Sequence, residues 1–183
     1  MNQENAGKDI ERVIATHEQI IGRLKELARQ VESDYKGRDL LLIGVLKGAV
    51  MTMADFSRQL NRHIEMDWMA VSSYGSGTKS SGVVRILKDL DRDITGLEVV
   101  IVEDIVDTGL TLAWLKSNLE SRGAKSVEIL TMLRKPDAAK VSVDVKYVGF
   151  DIPTDFVVGY GLDFNEKYRN LDFIGVLAKH MYS

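Results

Sequence analysis

The chain has 183 residues, with 24 Lys and Arg against 27 Asp and Glu, for a net charge of −3. This balance argues against nucleic acid or an anionic membrane as the main partner. The absence of Cys excludes disulfides, thiol nucleophiles and Cys-ligated zinc and fits a reducing cytoplasm, while the scattered His17, His63 and His180 argue against a histidine-built metal site.

Residues 1–8 read as a polar arm. The N-terminus is polar and no apolar run reaches about 18 residues, so neither a signal peptide nor a membrane span is expected. From Asp9 to Tyr35, apolar residues such as Ile10, Val13, Ile14, Ile20, Leu24, Leu27 and Val31 recur near helical spacing, which predicts one long amphipathic helix. Asp39 to Leu46 is a continuous apolar run, suited to a parallel strand covered on both faces. Gly48 to Leu60 reads as a helix and Ile64 to Ser72 as a strand. Residues 72–82 form a loop of small residues before a returning strand from Val83 to Lys88, a hairpin with a mobile tip. Leu97 to Val102 predicts a buried strand. Thr111 to Arg122 predicts a helix closed by Gly123. Strands follow over Val127–Leu133, Val145–Asp151, Phe156–Gly161 and Phe173–Ala178. Strands alternating with helices predict one α/β domain over residues 1–183. It would have a mostly parallel sheet and a small subdomain from the termini and the hairpin.

The strongest constellation is Val99-Val-Ile-Val-Glu-Asp-Ile-Val-Asp-Thr-Gly-Leu-Thr111. A hydrophobic strand is read as stopping at Glu103-Asp104, and a turn with Asp107, Thr108 and Gly109 opens a helix. Ligands of open α/β sheets bind outside the carboxyl ends of strands, where this segment would lie. Hydroxyls and backbone N–H groups at a helix N-terminus suit a phosphate. The three carboxylates would repel a phosphate, so they must face something else: sugar hydroxyls, a Mg²⁺ ion, or a cationic centre formed during reaction. Any one of these residues alone would more simply be a capping residue or part of a solvated loop.

This run resembles the phosphoribosyl-diphosphate (PRPP) motif of type I phosphoribosyltransferases, in the version carried by the 6-oxopurine branch. The resemblance implies that family's fold, a mostly parallel central sheet flanked by helices with a small hood. It also implies a cytoplasmic, Mg²⁺-dependent purine-salvage transferase acting on PRPP and a 6-oxopurine base, as a dimer or tetramer. On that resemblance, Glu103 and Asp104 grip the ribose and Asp107 is the general base. Thr108, Gly109, Leu110 and Thr111 form the 5-phosphate loop, although some relatives carry lysine where Leu110 stands.

Other segments support the resemblance. Leu42-Ile-Gly-Val-Leu-Lys-Gly-Ala49 is a strand running into a Lys-Gly turn. Taken alone it is an ordinary strand-to-helix turn. It resembles the family's pyrophosphate loop, with Lys47 and Gly48 as ligands, and in relatives the peptide before this lysine can be cis. Ser73-Tyr74 resembles the start of the family's catalytic flexible loop. In Arg134-Lys135-Pro136, Lys135 matches the lysine that donates to the purine 6-oxo group. In the Phe156–Arg169 segment, Phe156 would stack on the purine and the Val157 backbone would bond its edge. Asp163 would join Glu103 and Asp104 around Mg²⁺, and Arg169 would reach pyrophosphate oxygens. The resemblance runs from about Leu40 to Val176. A regulator that only senses the nucleotide and a phospho-acceptor domain are rival readings. The first fits poorly with the acidic charge. The second leaves the Lys47-Gly48 turn and the 156–169 segment unexplained.

Overall fold

A computed structural model describes residues 7–73 and 84–182. Six strands form the main sheet: β2 (Leu40–Leu46), β3 (Glu65–Ser73), β4 (Val84–Lys88), β5 (Glu98–Val106), β6 (Ser126–Arg134) and β7 (Tyr147–Asp151). Their order is β4-β3-β2-β5-β6-β7. Every neighbouring pair is parallel except β3–β4. The apolar run at 40–46 is continuous because both faces of β2 are covered. Leu40 and Leu42 pack with helices α1 (His17–Asp34) and α2 (Val50–Gln59). Leu41, Ile43 and Val45 pack on the other face with α3 (Leu110–Ser121).

A second sheet joins β1 (Ile10–Ala15), β9 (Ile174–Leu177) and β8 (Val157–Val158), all antiparallel. The termini contribute β1 and β9, whereas β3 and β4 belong to the main sheet, with β4 at its edge. The single N-terminal helix expected from Asp9 is therefore two elements. Ile10, Val13 and Ile14 fit a helical stripe by spacing, but residues 10–15 pair with β9 instead. Thr16 then starts α1 with a reciprocal capping box, its hydroxyl accepting from Gln19 N–H and the Gln19 side chain accepting from Thr16 N–H. Such a cap contributes about 1 kcal/mol. Ile20, Leu24, Leu27 and Val31 of α1 are fully buried, each contributing about 1.5–3 kcal/mol by burial.

Two further expectations need correction. β5 does not end at Val102 but continues to Val106, paired with β6 as far as Arg134. The strand predicted over Phe156–Gly161 shrinks to Val157–Val158. The polar arm of residues 1–8 falls mostly outside the described residues, and Gly7–Asp9 form a 3-10 turn. The loop tip, including Tyr74, also lies outside them.

Candidate active site

Because β5 runs to Val106, Glu103 and Asp104 occupy its last pleats beneath the sheet's carboxyl edge. Both line a cavity of about 300 Å³ with Gly48, Asp107, Thr108, Gly109 and Thr111. The Glu103 carboxyl is driven well above the ordinary carboxylate range, first by burial and then by the Asp104 charge. Asp104 is raised to about 6, chiefly by burial, although Ile105 N–H donates to it at 2.7 Å. Crowded acids of this kind favour a cation or hydroxyl donors beside them.

The turn at Thr108 and Gly109 closes the same cavity. Gly109 holds φ +78, and a Cβ there would press on Val143 Cγ2 at 3.1 Å and Val141 C=O at 3.2 Å. Only glycine fits that left-handed, tightly backed position. No side chain caps the α3 N-terminus, and the first N–H groups of a helix have no acceptor within it. The loop is braced by Lys140 N–H, which donates to Thr108 C=O at 3.0 Å. Leu110 starts the helix but does not line the cavity.

Asp107 and Asp104 also line a second cavity of about 220 Å³, with Lys135, Phe156, Val157, Leu162 and Asp163. The Lys135 ammonium is buried and lies 3.6 Å from Asp107 Oδ2. The neighbouring Arg134 grips Asp151 with two bonds of 2.7 and 3.0 Å. Of the two cations, Lys135 lines this cavity. The Phe156 ring, 41% exposed, meets Phe164 edge-on at 5.8 Å and lies 5.3 Å from Tyr182. Val157 is buried in β8.

The third part is cationic. The Leu46–Lys47 peptide is cis, and Lys47 Nζ lies 3.0 Å from Glu166 Oε2. Arg169 donates to Gly161 C=O at 2.8 Å and pairs with Asp163 Oδ1 at 2.8 Å and Glu166 Oε1 at 3.4 Å. Its Nε is buried with no hydrogen-bond partner. The 159–169 segment packs directly on the Lys47 loop. A Cβ on Gly161 would collide with Gly48 C=O, and one on Gly48 would collide with the Asp104 carboxylate. Among the described residues, no three acidic or imidazole side chains converge as a ready metal cage, so Glu103, Asp104 and Asp163 do not form one preassembled cluster. Ser73 ends β3, and its side chain is not described. Sequence reasoning missed Leu162, Phe164, Tyr182 and Glu166. No sequence motif marks them individually, and folding brings them here.

The model of the family described as "Phosphoribosyl transferase domain" matches residues 13–165. The chain belongs to the phosphoribosyl transferase family. Relatives agree with this. The hypoxanthine-guanine phosphoribosyltransferase of Mycobacterium tuberculosis is 57% identical over 180 residues, covering 95% of this chain and 89% of that protein. The enzyme of the same name from Streptococcus thermophilus is 48% identical, covering 96% and 98%. A crystal structure of a hypoxanthine phosphoribosyltransferase from Staphylococcus aureus superposes with a TM-score of 0.95 at 45% identity, covering 99% of this chain and 98% of that one. Family likeness therefore extends past the 40–176 span that the motifs suggested and takes in the N-terminal strand and helix.

Proposed function

We propose that this chain transfers the 5-phosphoribosyl group of PRPP to N9 of hypoxanthine or guanine, giving IMP or GMP and pyrophosphate, in purine salvage. The observation that carries this reading is the shared wall between two cavities. Asp104 and Asp107 border both the phosphate-loop cavity and the one lined by Phe156 and Lys135. A sugar phosphate held in the first presents its anomeric carbon to a flat base held in the second. Residues 1–183 are read as one such domain.

Each group then has a role. Thr108, Gly109 and Thr111, at the opening of α3, hold the 5-phosphate and orient the sugar. Glu103 and Asp104 grip the ribose hydroxyls and offset the positive charge that develops as the C1–O bond to pyrophosphate breaks. Asp107 accepts a purine ring proton as N9 bonds to C1, typically worth about 10²–10⁴ in rate. Lys135 donates to the 6-oxo group and Phe156 stacks on the ring. Lys47, the Gly48 amide and Arg169 hold the departing pyrophosphate.

The donor set fits Mg²⁺. Glu103, Asp104 and Asp163 supply hard carboxylate oxygens, and Mg²⁺ commonly takes only one or two carboxylates, completing its shell with phosphate oxygens and water. When bound, it would neutralise charge on the pyrophosphoryl group. No helix among the described residues is long and apolar enough to cross a membrane. A cytoplasmic location follows from the substrate, because a multiply charged phosphate ester does not cross a bilayer unaided. Association into a dimer or tetramer is part of the same reading.

The test is pyrophosphate release from PRPP and Mg²⁺ with a panel of hypoxanthine, guanine, xanthine and adenine. Turnover with hypoxanthine or guanine is expected. Release with neither would overturn the assignment.

A further inference from the structure

Residues 164–167 close as a two-residue hairpin. Phe164 N–H donates to Lys167 C=O at 3.2 Å, and Lys167 N–H donates to Phe164 C=O at 3.1 Å. The two central residues, Asn165 and Glu166, hold φ +51 and +60. Two successive positive φ values are the backbone of a turn that favours Asn and Gly, and a glutamate there is uncommon. Glu166 N–H is pinned to Asp163 Oδ2 at 2.9 Å. The unfavourable backbone aims one carboxylate at two cations from separate segments: Lys47 at 3.0 Å from Oε2 and Arg169 at 3.4 Å from Oε1. A bidentate oxyanion bridging an ammonium and a guanidinium has the contact pattern of a phosphate group.

We propose that Glu166 is a built-in competitor for the pyrophosphate site. Its carboxylate holds Lys47 and Arg169 between turnovers and swings out when a pyrophosphoryl group arrives. The inference rests on the reading of Lys47 and Arg169 given above. Lys47 and Glu166 are each 66% exposed, so their pairing is screened by solvent and yields readily to an anion with more charge and more acceptor oxygens. The carboxylate is retained close by on its pinned turn. As pyrophosphate leaves, it retakes the cations and opposes rebinding. Glu166 is thus a positioning residue that sets the affinity for pyrophosphate and acts through Lys47 and Arg169.

The experiment is calorimetric titration of sodium pyrophosphate, with excess MgCl₂, into the full chain and four variants: Glu166→Gln, Glu166→Gly, Lys47→Met and the Lys47→Met/Glu166→Gln double variant. Both single Glu166 variants should bind pyrophosphate about two- to fivefold tighter, the range of an exposed ion pair. The KM for PRPP should fall by a similar factor without a rise in kcat. A purely structural role would shift the melting temperature without producing that split. In the Lys47→Met background the gain from Glu166→Gln should shrink, because one of the two contested cations is gone. Unchanged or weaker binding by both Glu166 variants overturns the proposal. So does an equal gain with and without Lys47, which would indicate a general field effect. If Lys47→Met alone binds pyrophosphate as tightly as the parent, the assignment of Lys47 to pyrophosphate fails first, and this inference falls with it.

Discussion

Replacing Gly48 with Ala puts a methyl carbon where Asp104 already sits. The added Cβ would lie 2.6 Å from Asp104 Cγ and closer still to Oδ2. Nonbonded carbons settle at about 3.5–4.0 Å, so the overlap is about 1 Å. The Lys47 loop has no room to retreat, because Gly48 C=O packs against Gly161 so tightly that residue 161 must also lack a Cβ. Asp104 must turn instead, giving up the bond it accepts from Ile105 N–H. Overpacking of this kind costs about 1–3 kcal/mol of stability. The larger effect is on chemistry, since a shift of about 1 Å in a positioning group costs about 10²-fold in rate. Steady-state pyrophosphate release with PRPP, Mg²⁺ and hypoxanthine, run beside a thermal melt, separates the two effects. We expect kcat/KM for PRPP to drop about 100-fold while Tm falls by about 2–12 °C, the shift that 1–3 kcal/mol produces in a chain of this size. A folded Gly48→Ala enzyme with parental kcat/KM would refute the claim that this contact fixes Asp104 for catalysis.

Other substitutions probe the remaining groups. Asp107→Asn should lower kcat by about 10²–10⁴ and raise the KM for PRPP far less; near-normal turnover in steady-state kinetics would remove Asp107 from the base role. Lys135→Ala should weaken use of 6-oxopurines and leave PRPP affinity largely intact, and calorimetry giving the reverse would move Lys135 to the phosphate side. Glu98, buried at the start of β5 and bonded to Lys125, Ser126 and Arg38, is held down to about 2 by those hydrogen bonds. Its folded-state value lies below its ordinary 4.5, so its contribution is complete above about pH 4.5 and fades as pH falls towards 2. Lys125 and Arg38 are 60% and 43% exposed, which limits the contribution to about 1–2 kcal/mol. Glu98→Gln should therefore lower the urea midpoint at pH 7 and flatten the acid limb between pH 4.5 and 3. An acid limb identical to the parent's would show that the pairing contributes nothing.

The acidic strand end was legible because charges at the tip of a buried strand have few structural uses. Lys135 was singled out by motif; that it lines the cavity with Asp107 while Arg134 pairs with Asp151 needed the fold, because sequence does not show which cation is engaged elsewhere. The length of β5 was misread for a physical reason. Carboxylates normally end a strand in solvent, whereas Glu103 and Asp104 stay in the ladder because the strand's last pleats open onto a cleft. Residues 10–15 were misread because Ile10, Val13 and Ile14 satisfy a helical stripe as well as a strand paired with a distant C-terminal segment, and sequence spacing carries no information about β9. Glu166 was invisible for a related reason. A charged residue in a polar turn looks solvated until the backbone at φ +60 aims it at Lys47 and Arg169.

The central claim is that three acids surround a pentose, two to hold its diol and one to take a proton beside its anomeric carbon. A crystal of this protein soaked with PRPP and Mg²⁺ tests it most directly. We expect Glu103 and Asp104 oxygens within about 3.2 Å of the ribose hydroxyls or the ion, with Asp107 facing the base pocket next to C1. A well-ordered pentose from which all three carboxylates turn away would contradict it.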